Sequence, residues 1–502
     1  MAAKKGKVIS NGDKGTVLYN HLYEACNILR GPVAADEYKI YLFPIMFLKR
    51  ISDVYDQETK VALEESGGDM EYAEMEDNHR FVIPKGCHWN DIRNCSENIG
   101  QKINNSMLKI EAANPNTLNG IFSDFDEASW TNKEKLSDQR LKNLVEHFSV
   151  IKLDNENASA DIMGQAYEFL IKKFADITKD SAGEFYTPRA VVNLIIRLLD
   201  PKAGETIYDP ACGTGGMLIE SMRHINDSHR VLGHLYGQEK NLSTASIARM
   251  NLFLHGCDDF HIERGDTLRN PKFLVQDKLR TFDCVVANPP FSLDNWGVEM
   301  WEHDPFGRNH YGIPPKTNAD FAWVEHMLAS MDPKTGRMGV VLPQGVLFKK
   351  EVRDIRRKLL EDNKLALVIQ LAGNLFYGTP LAPCILFFSN NKTDDNVRFV
   401  DASTTFRKDR AQNFLDEEHV LKIFEYVTSA EDVEGFSKTV SVSDINDESC
   451  ELSVSRYVKK EFIDTTPPYS EVVRMLKENI AESEKLEAEI KEMIENGGYL
   501  DE

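Results

Sequence analysis

The sequence has no apolar run near the ~18 residues that a membrane-spanning helix requires. Its opening, MAAKKGK, is basic but has no apolar segment behind it. On that pattern neither a membrane helix nor a secretory leader is expected, and the expected location is cytoplasmic. A C-x-x-C pair is also missing, since the eight cysteines are scattered at 26, 87, 95, 212, 257, 284, 384 and 450. Such spacing predicts reduced thiols. Cys87, His88 and Cys95 form the one local cluster, but their spacing fits no zinc module, so no metal site is expected. Positive charge is short as well: 59 Lys and Arg face 80 Asp and Glu, a formal charge of -21. A chain that grips nucleic acid unaided usually shows a basic face, because phosphate neutralisation supplies most non-specific affinity. Either nucleic acid is not bound, or another component helps to bind it.

The chain does have enough length and apolar content for two or three domains, with 502 residues of which 42% are hydrophobic. Residues 1–150 mix helical patterns, such as LYNHLYEACNILRG ahead of Gly31-Pro32 and EYKIYLFPIMFLKRISDVY, with polar loops; a mostly helical first domain is expected. A second domain is expected over 151–465. Its first helical pattern is DIMGQAYEFLIKKFADITKD, followed by SAGEFYTPRAVVNLIIRLL, where Thr187 suits an N-cap and Pro188 the first helical position. In the tail, 466–502, Val472, Leu476, Asn479, Ser483, Leu486, Ile490 and Met493 alternate steps of four and three, a heptad seam with a polar centre. That seam reads as a helix seeking a partner.

From Thr206 the pattern alternates: strand TIYD, a Gly-rich turn, helix GMLIESMRHI, strand HLYGQE, helix LSTASIARMNLFLHG, strand HIERGD, then strand FDCVVANPP. This is the signature of an α/β fold with a doubly wound, mostly parallel sheet. MGVVLP, LALVIQL and PCILFF are three further strand candidates.

The turn Asp209-Pro-Ala-Cys-Gly213-Thr214-Gly215-Gly216 follows a strand and opens a helix, so its backbone can approach a ligand at the helix N-terminus. The next strand ends in Glu239, an acceptor suited to ribose hydroxyls, and the third in Asp266, suited to an adenine amino group. The turn lacks the Lys-Ser/Thr of a phosphate-binding loop, which favours an adenosine ligand without a phosphate chain. Asn288-Pro289-Pro290-Phe291 closes the fourth strand. If that strand lies beside the first, the Asn288 amide carbonyl and the Pro289 carbonyl face the same crevice. Two acceptors beside the flat Phe291 ring suit an exocyclic amino group on a planar base, keeping its lone pair free to attack a methyl sulfonium.

LRGPVAADEYKIYLFPIMFLKRISD, DIMGQAYEFLIKKFA, GEFYTPRAVV, DPACGTGGML, GQEKN, GDTL, ANPPF, GRMGVVLPQGVLF and NLFYGTPLAPCIL, in this order, resemble the modification subunit of type I restriction-modification systems. These are S-adenosylmethionine-dependent DNA adenine-N6 methyltransferases. The resemblance implies a Rossmann-like class I methyltransferase sheet with a helical N-terminal domain and a helical tail. It implies that Asp209, Gly213, Thr214, Gly215 and Gly216 line the cofactor, that Glu239 holds the ribose and Asp266 the adenine, and that Gly183, Glu184, Tyr186 and Thr187 close over it. Asn288, Pro289, Pro290 and Phe291 would be catalytic, acting on a flipped-out adenine, with Phe376 or Tyr377 as the far wall of the base pocket. The implied partners are duplex DNA, a specificity subunit flanked by two copies of this chain, and an endonuclease/translocase subunit for restriction.

Three alternatives stand beside this reading. A protein glutamine-N5 methyltransferase shares the Asn-Pro-Pro-aromatic ending but has no role for the N-terminal region or the tail. A cytosine-C5 enzyme would need Cys384 as a thiolate, and Cys384 sits in an apolar strand pattern. A catalytically silent assembly subunit would not need Asp209, Glu239 and Asn288. The basic stretch Lys349, Lys350, Arg353, Arg356, Arg357 and Lys358 reads equally as a solvated helix face or a phosphate track.

Overall fold

The structure is a computed structural model that describes residues 11–115, 117–123, 130–178, 187–225, 234–257, 259–376, 379–409, 412–445, 447–459 and 469–496. The N-terminal region is helical, with long helices α1 (Asn11–Leu29), α2 (Tyr38–Glu65), α3 (Ile99–Ala113), α4 (Asp138–Ser149) and α5 (Ala160–Thr178). The chain turns after α1 at Gly31, whose φ of 107° is one that side chains resist. Ser137 starts α4 by accepting from the Arg140 N–H at 3.3 Å. Leu22, Ile45, Phe47, Ile103, Leu144 and Tyr167 share one apolar core across these helices.

Among the described residues from 187 to 459, six helices of nine residues or longer follow: α6 (Arg189–Leu199), α7 (Gly216–Ile225), α8 (Leu242–Leu254), α9 (Asp320–Ala329), α10 (Arg353–Glu361) and α11 (Glu417–Thr428). Helix α8 is apolar nearly all round, and the structure supplies the reason. Ala245, Ala248 and Leu252 pack on the sheet, while Ile247, Met250, Phe253 and Leu254 enter the core of the N-terminal helices.

The main sheet has nine strands: β1 (Ile207–Asp209), β2 (Leu235–Glu239), β3 (Phe260–Arg264), β4 (Cys284–Ala287), β5 (Arg337–Pro343), β6 (Leu365–Leu371), β7 (Pro383–Ser389), β8 (Asn396–Ala402) and β9 (Ser437–Ser441). In space the order is β9-β8-β6-β7-β5-β4-β1-β2-β3. Only β7 and β9 run against the rest. Two separate apolar clusters cover its faces, one containing Ile207, Val286 and Ile385, the other Val285, Val340 and Leu386. Strands β8 and β9, from NVRFVDA and SKTVS, were not anticipated from the sequence.

Strand β1 lies between β2 and β4, with Tyr208 opposite both Tyr236 and Val285. This is where strand order reverses, and such sheets open a ligand crevice at the carboxyl edge there. Asp209, Glu239 and Asn288 all arrive at that edge.

Residues 469–496 form a helix, α12 (Tyr469–Asn496), whose Val472, Leu476, Leu486, Ile490 and Met493 are exposed, as are Met475 and Ile480. Helix-surface pairs such as Arg474 with Glu471 and Glu478 line its polar side.

Candidate active site

The Gly-rich turn is built by two carboxylates. Asp209 is buried and its Oδ1 accepts from the Ala211 N–H at 3.0 Å. Glu239 Oε2 accepts from the Gly213 N–H at 3.0 Å and Oε1 from the Asn241 N–H at 2.8 Å. Gly213 and Gly215 have φ of 53° and 81°, so the turn uses conformations that side chains resist. The turn also presses on β2: a Cβ on Gly237 would stand 2.9 Å from Cys212 Sγ. Asn251, from α8, donates to the Thr214 carbonyl at 2.8 Å, a support that sequence spacing did not reveal.

Burial pushes the Asp209 carboxyl up to about 8, and the charge of Glu239 adds to the effect. Burial also raises Glu239, against the lowering pull of the Asn241 and Gly213 N–H groups. Two desolvated acids side by side favour a cation as ligand. A carboxylate has about four lone-pair sites, so Glu239 keeps acceptor capacity for hydroxyls after serving two N–H groups. Asp266 stands two residues beyond the end of β3, in the loop, and not at the strand terminus as expected. Its carboxylate meets Lys240 Nζ at 2.9 Å and Arg269 Nε at 3.8 Å.

Across β1, Asn288 follows β4. Its Nδ2 donates to Thr187 Oγ1 at 2.9 Å, while its buried Oδ1 has no hydrogen-bond partner. Thr187 is therefore not the N-cap expected from the sequence. Helix α6 begins at Arg189 with Pro188 as its cap residue, one position later, and the Thr187 hydroxyl serves Asn288 instead. The crevice between them is lined by Asp209, Gly213, Thr214, Gly216, Thr187 and Asn288. Pro289 is buried, and the half-buried Phe291 ring lies 6.2 Å from that of Phe376, tilted by 53°. Gly183, Glu184, Tyr186 and Tyr377 lie outside the described residues.

One wall of the crevice escaped the sequence reading altogether. Glu168 of α5 meets Arg189 of α6 and Arg223 of α7, each at 3.6 Å, and His255 at 3.3 Å; Glu220 adds a second acid to the group. These residues come from separate elements, so no local motif marks them. Cys384 is fully buried and its thiol is pushed upward by desolvation, which removes the thiolate that cytosine-C5 chemistry needs. In the basic stretch, Arg356 is no phosphate contact. It is buried and donates to the carbonyls of Cys450, Val346 and Lys349.

The comparisons with known proteins now decide the family. Residues 158–465 match the family described as N-6 DNA Methylase, and residues 18–148 match the HsdM N-terminal domain. The chain belongs to the N-6 DNA methylases. It is 33% identical to the type I restriction enzyme MjaVII methylase subunit of Methanocaldococcus jannaschii, over 82% of this chain and 71% of that one. It is also 33% identical to the HindI methylase subunit of Haemophilus influenzae, over 68% of this chain and 79% of that one. The crystal structure of a type I restriction-modification methyltransferase subunit from Streptococcus thermophilus superposes with a TM-score of 0.75 at 27% identity, covering 88% of this chain and 99% of that one.

The methylase is thus a type I modification subunit with adenine-N6 DNA methyltransferase activity, and its family implies S-adenosylmethionine as methyl donor. The match of residues 18–148 to the HsdM N-terminal domain leaves the glutamine methyltransferase reading without support. Among the described residues no helix is long and apolar enough to cross a membrane.

Proposed function

We propose that Asn288, Pro289, Pro290 and Phe291 receive a flipped-out adenine and direct its N6 amino group at the cofactor's methyl carbon. The observation that carries this is the state of the Asn288 amide: its donor is tied to Thr187 and its buried acceptor is free. A free acceptor of that kind is costly unless something fills it. An exocyclic amine supplies the missing proton, and the Pro289 carbonyl takes the second. Drawing on both protons keeps the nitrogen pyramidal, with its lone pair aimed across the crevice. Phe291 stacks on the base and offsets part of the cost of flipping, a few kcal/mol.

The residues present fit S-adenosylmethionine. Asp209, Gly213, Thr214, Gly215 and Gly216 would hold its amino-acid end, Glu239 would take the ribose hydroxyls, and Asp266, now paired with Lys240, would take the adenine amine. Thr187, with Gly183, Glu184 and Tyr186, completes the site. When bound, the cofactor supplies an electrophilic methyl group for direct transfer, with no covalent enzyme intermediate.

Sequence reading is assigned to a separate specificity subunit flanked by two copies of this chain, with an endonuclease/translocase subunit joining for restriction. Two features support that division. The charge of -21 makes poor duplex grip by this chain alone the expected behaviour, and the exposed apolar stripe of α12 is a helix face that gains stability by packing on another. We take the boundaries of the three parts at 150 and 465. Methylome sequencing of cells with and without the chain should show adenine-N6 marks at one defined site. Truncation after Pro468 should lower co-purification with the specificity subunit and remove those marks while cofactor binding survives. Site-specific methylation by the isolated full-length chain would overturn the division of labour.

A further inference from the structure

The segment that leaves Phe291 needs to be rigid if the base pocket is to hold its shape, and its apolar anchors, Leu293 and Trp296, come only after Ser292. Ser292 is exposed, sits at a φ of 52° and borders an open surface cavity shared with Asn318, Val346 and Lys349. Hydrogen bonds from the segment ahead of α9 do the holding. Ala319 N–H donates to the Leu293 carbonyl at 3.0 Å, Asn295 N–H to the Lys316 carbonyl at 3.1 Å, and Trp296 Nε1 to the Pro315 carbonyl at 2.9 Å. The bond nearest to Phe291 comes from a side chain: Asp320 Oδ1 accepts from the Ser292 N–H at 2.8 Å.

Asp320 is 2% exposed, and its other oxygen accepts from Asn318 Nδ2 at 2.9 Å. The Asn318 carbonyl oxygen in turn accepts from the Asp320 N–H at 3.0 Å. Burying a carboxylate to serve neutral donors is expensive, and the start of α9 draws no side-chain cap from it. Both oxygens face donors here, one of them the first amide after the catalytic tetrapeptide. An Asn in place of the acid would turn its NH2 against the Asn318 NH2.

We propose that Asp320 is a positioning residue for methyl transfer, clamping the Ser292 amide so that Phe291 and the Asn288–Pro289 acceptors keep the geometry the target amine requires. The proposal rests on the assignment of Asn288 to Phe291 as the catalytic segment. Asp320 does not line the crevice that Asn288 and Asp209 share.

The test uses the complex of this chain with its specificity subunit and a duplex carrying the site read from the methylome, with 2-aminopurine at the target base as the flipping probe. Asp320→Ala should lower kcat for methyl transfer on the order of 10²-fold, the scale of an ångström's misplacement of a reacting group. Cofactor affinity should stay unchanged, and the 2-aminopurine signal should show a less firmly held base. Asp320→Asn, which keeps an acceptor for Ser292 but sets its NH2 against that of Asn318, should recover part of the rate. Asn318→Ala, which removes only the brace, should fall between, and stands in if Asp320→Ala does not fold. An Asp320→Ala enzyme of wild-type kcat, a loss confined to cofactor affinity, or an Asp320→Asn enzyme no better than Asp320→Ala would each overturn the clamp. Asn288→Ala run in parallel separates the two claims, because full activity there sinks the catalytic segment itself, whereas an inactive Asn288→Ala beside a normal Asp320→Ala sinks only the clamp.

Discussion

On the β1–β2 side of the crevice the polar groups are carboxylates anchored by backbone N–H groups, Asp209 by Ala211 and Glu239 by Gly213 and Asn241. On the β4 side they are neutral: one amide held by one hydroxyl, two prolines and a phenyl ring. On the proposed assignment of the two sides, the difference follows from the ligands. A sulfonium with an ammonium group carries positive charge into a desolvated site, where acids are worth most. The target amine is neutral, so an uncharged acceptor is enough to orient its N–H bonds. A neutral acceptor orients the amine without binding it too tightly in the ground state, which is what raises kcat.

The largest break in this comparison should come from Asn288→Ala. Removing a preorganised hydrogen-bonding group typically costs about 10²–10³-fold in kcat, and tritium transfer from labelled cofactor should show a loss of that order. Calorimetry on the same variant should return wild-type cofactor affinity. If both quantities fall together, the amide belongs to the cofactor half and the contrast between the two sides disappears.

Glu239→Ala should do the reverse. It should weaken cofactor binding by roughly 1–3 kcal/mol, the cost of leaving hydroxyl and N–H groups unpaired, while a cofactor-saturated enzyme keeps most of its kcat. Phe291→Ala should lose about 1–3 kcal/mol of base stacking, seen as a raised KM for DNA, and Phe291→Trp should retain activity. Smaller still is Thr187→Val, which frees the Asn288 amide to rotate. The loss of one net hydrogen bond, about 1 kcal/mol, corresponds to roughly fivefold in kcat. An unchanged rate would show that Thr187 does not orient the amide.

Much of this contrast is legible in the amino-acid sequence, for physical reasons that differ by residue. Strands β1, β2 and β4 to β7 announce themselves because central strands buried on both faces read as short apolar runs, and Asp209, Glu239 and Asn288 stand where three of these runs stop. Asp266 stands two residues past β3 because strand length is set by pairing with β2, which stops at Arg264 opposite Glu239. Thr187 looks like a cap in sequence, yet its hydroxyl has a tertiary partner 101 residues away. The same holds for Arg356, whose carbonyl partners include Cys450, and for the Glu168 cluster. Strand β8 is interrupted by Asn396, Arg398 and Asp401, and β9 is polar but for Val440, so both lack the continuous apolar run that marks the central strands. What sequence order hides is the partner of a polar side chain; what it shows is where an apolar run stops.

A titration, with no change to the β4 side, tests the acid side through its protons. Unliganded, the Asp209 carboxyl is pushed up to about 8 by burial, against about 3.9 in an unfolded chain. The folded state therefore binds this proton more tightly, and the stability it contributes is full below about pH 4 and is lost as pH rises through about 8. Thermal melts of the unliganded protein should decline over that window, and Asp209→Asn should flatten the decline. A cationic ligand reverses the preference, because it favours the charged carboxylate. Cofactor binding at pH 7 should then release a fraction of a proton per site, measurable by calorimetry in two buffers of different ionisation heat, and affinity should strengthen by up to about tenfold per pH unit toward pH 8. Binding that exchanges no proton at pH 7, with a flat affinity profile from pH 6 to 8, would mean that Asp209 is already ionised in the empty site. The acid side would then be a preformed anion and not one that the ligand charges on arrival.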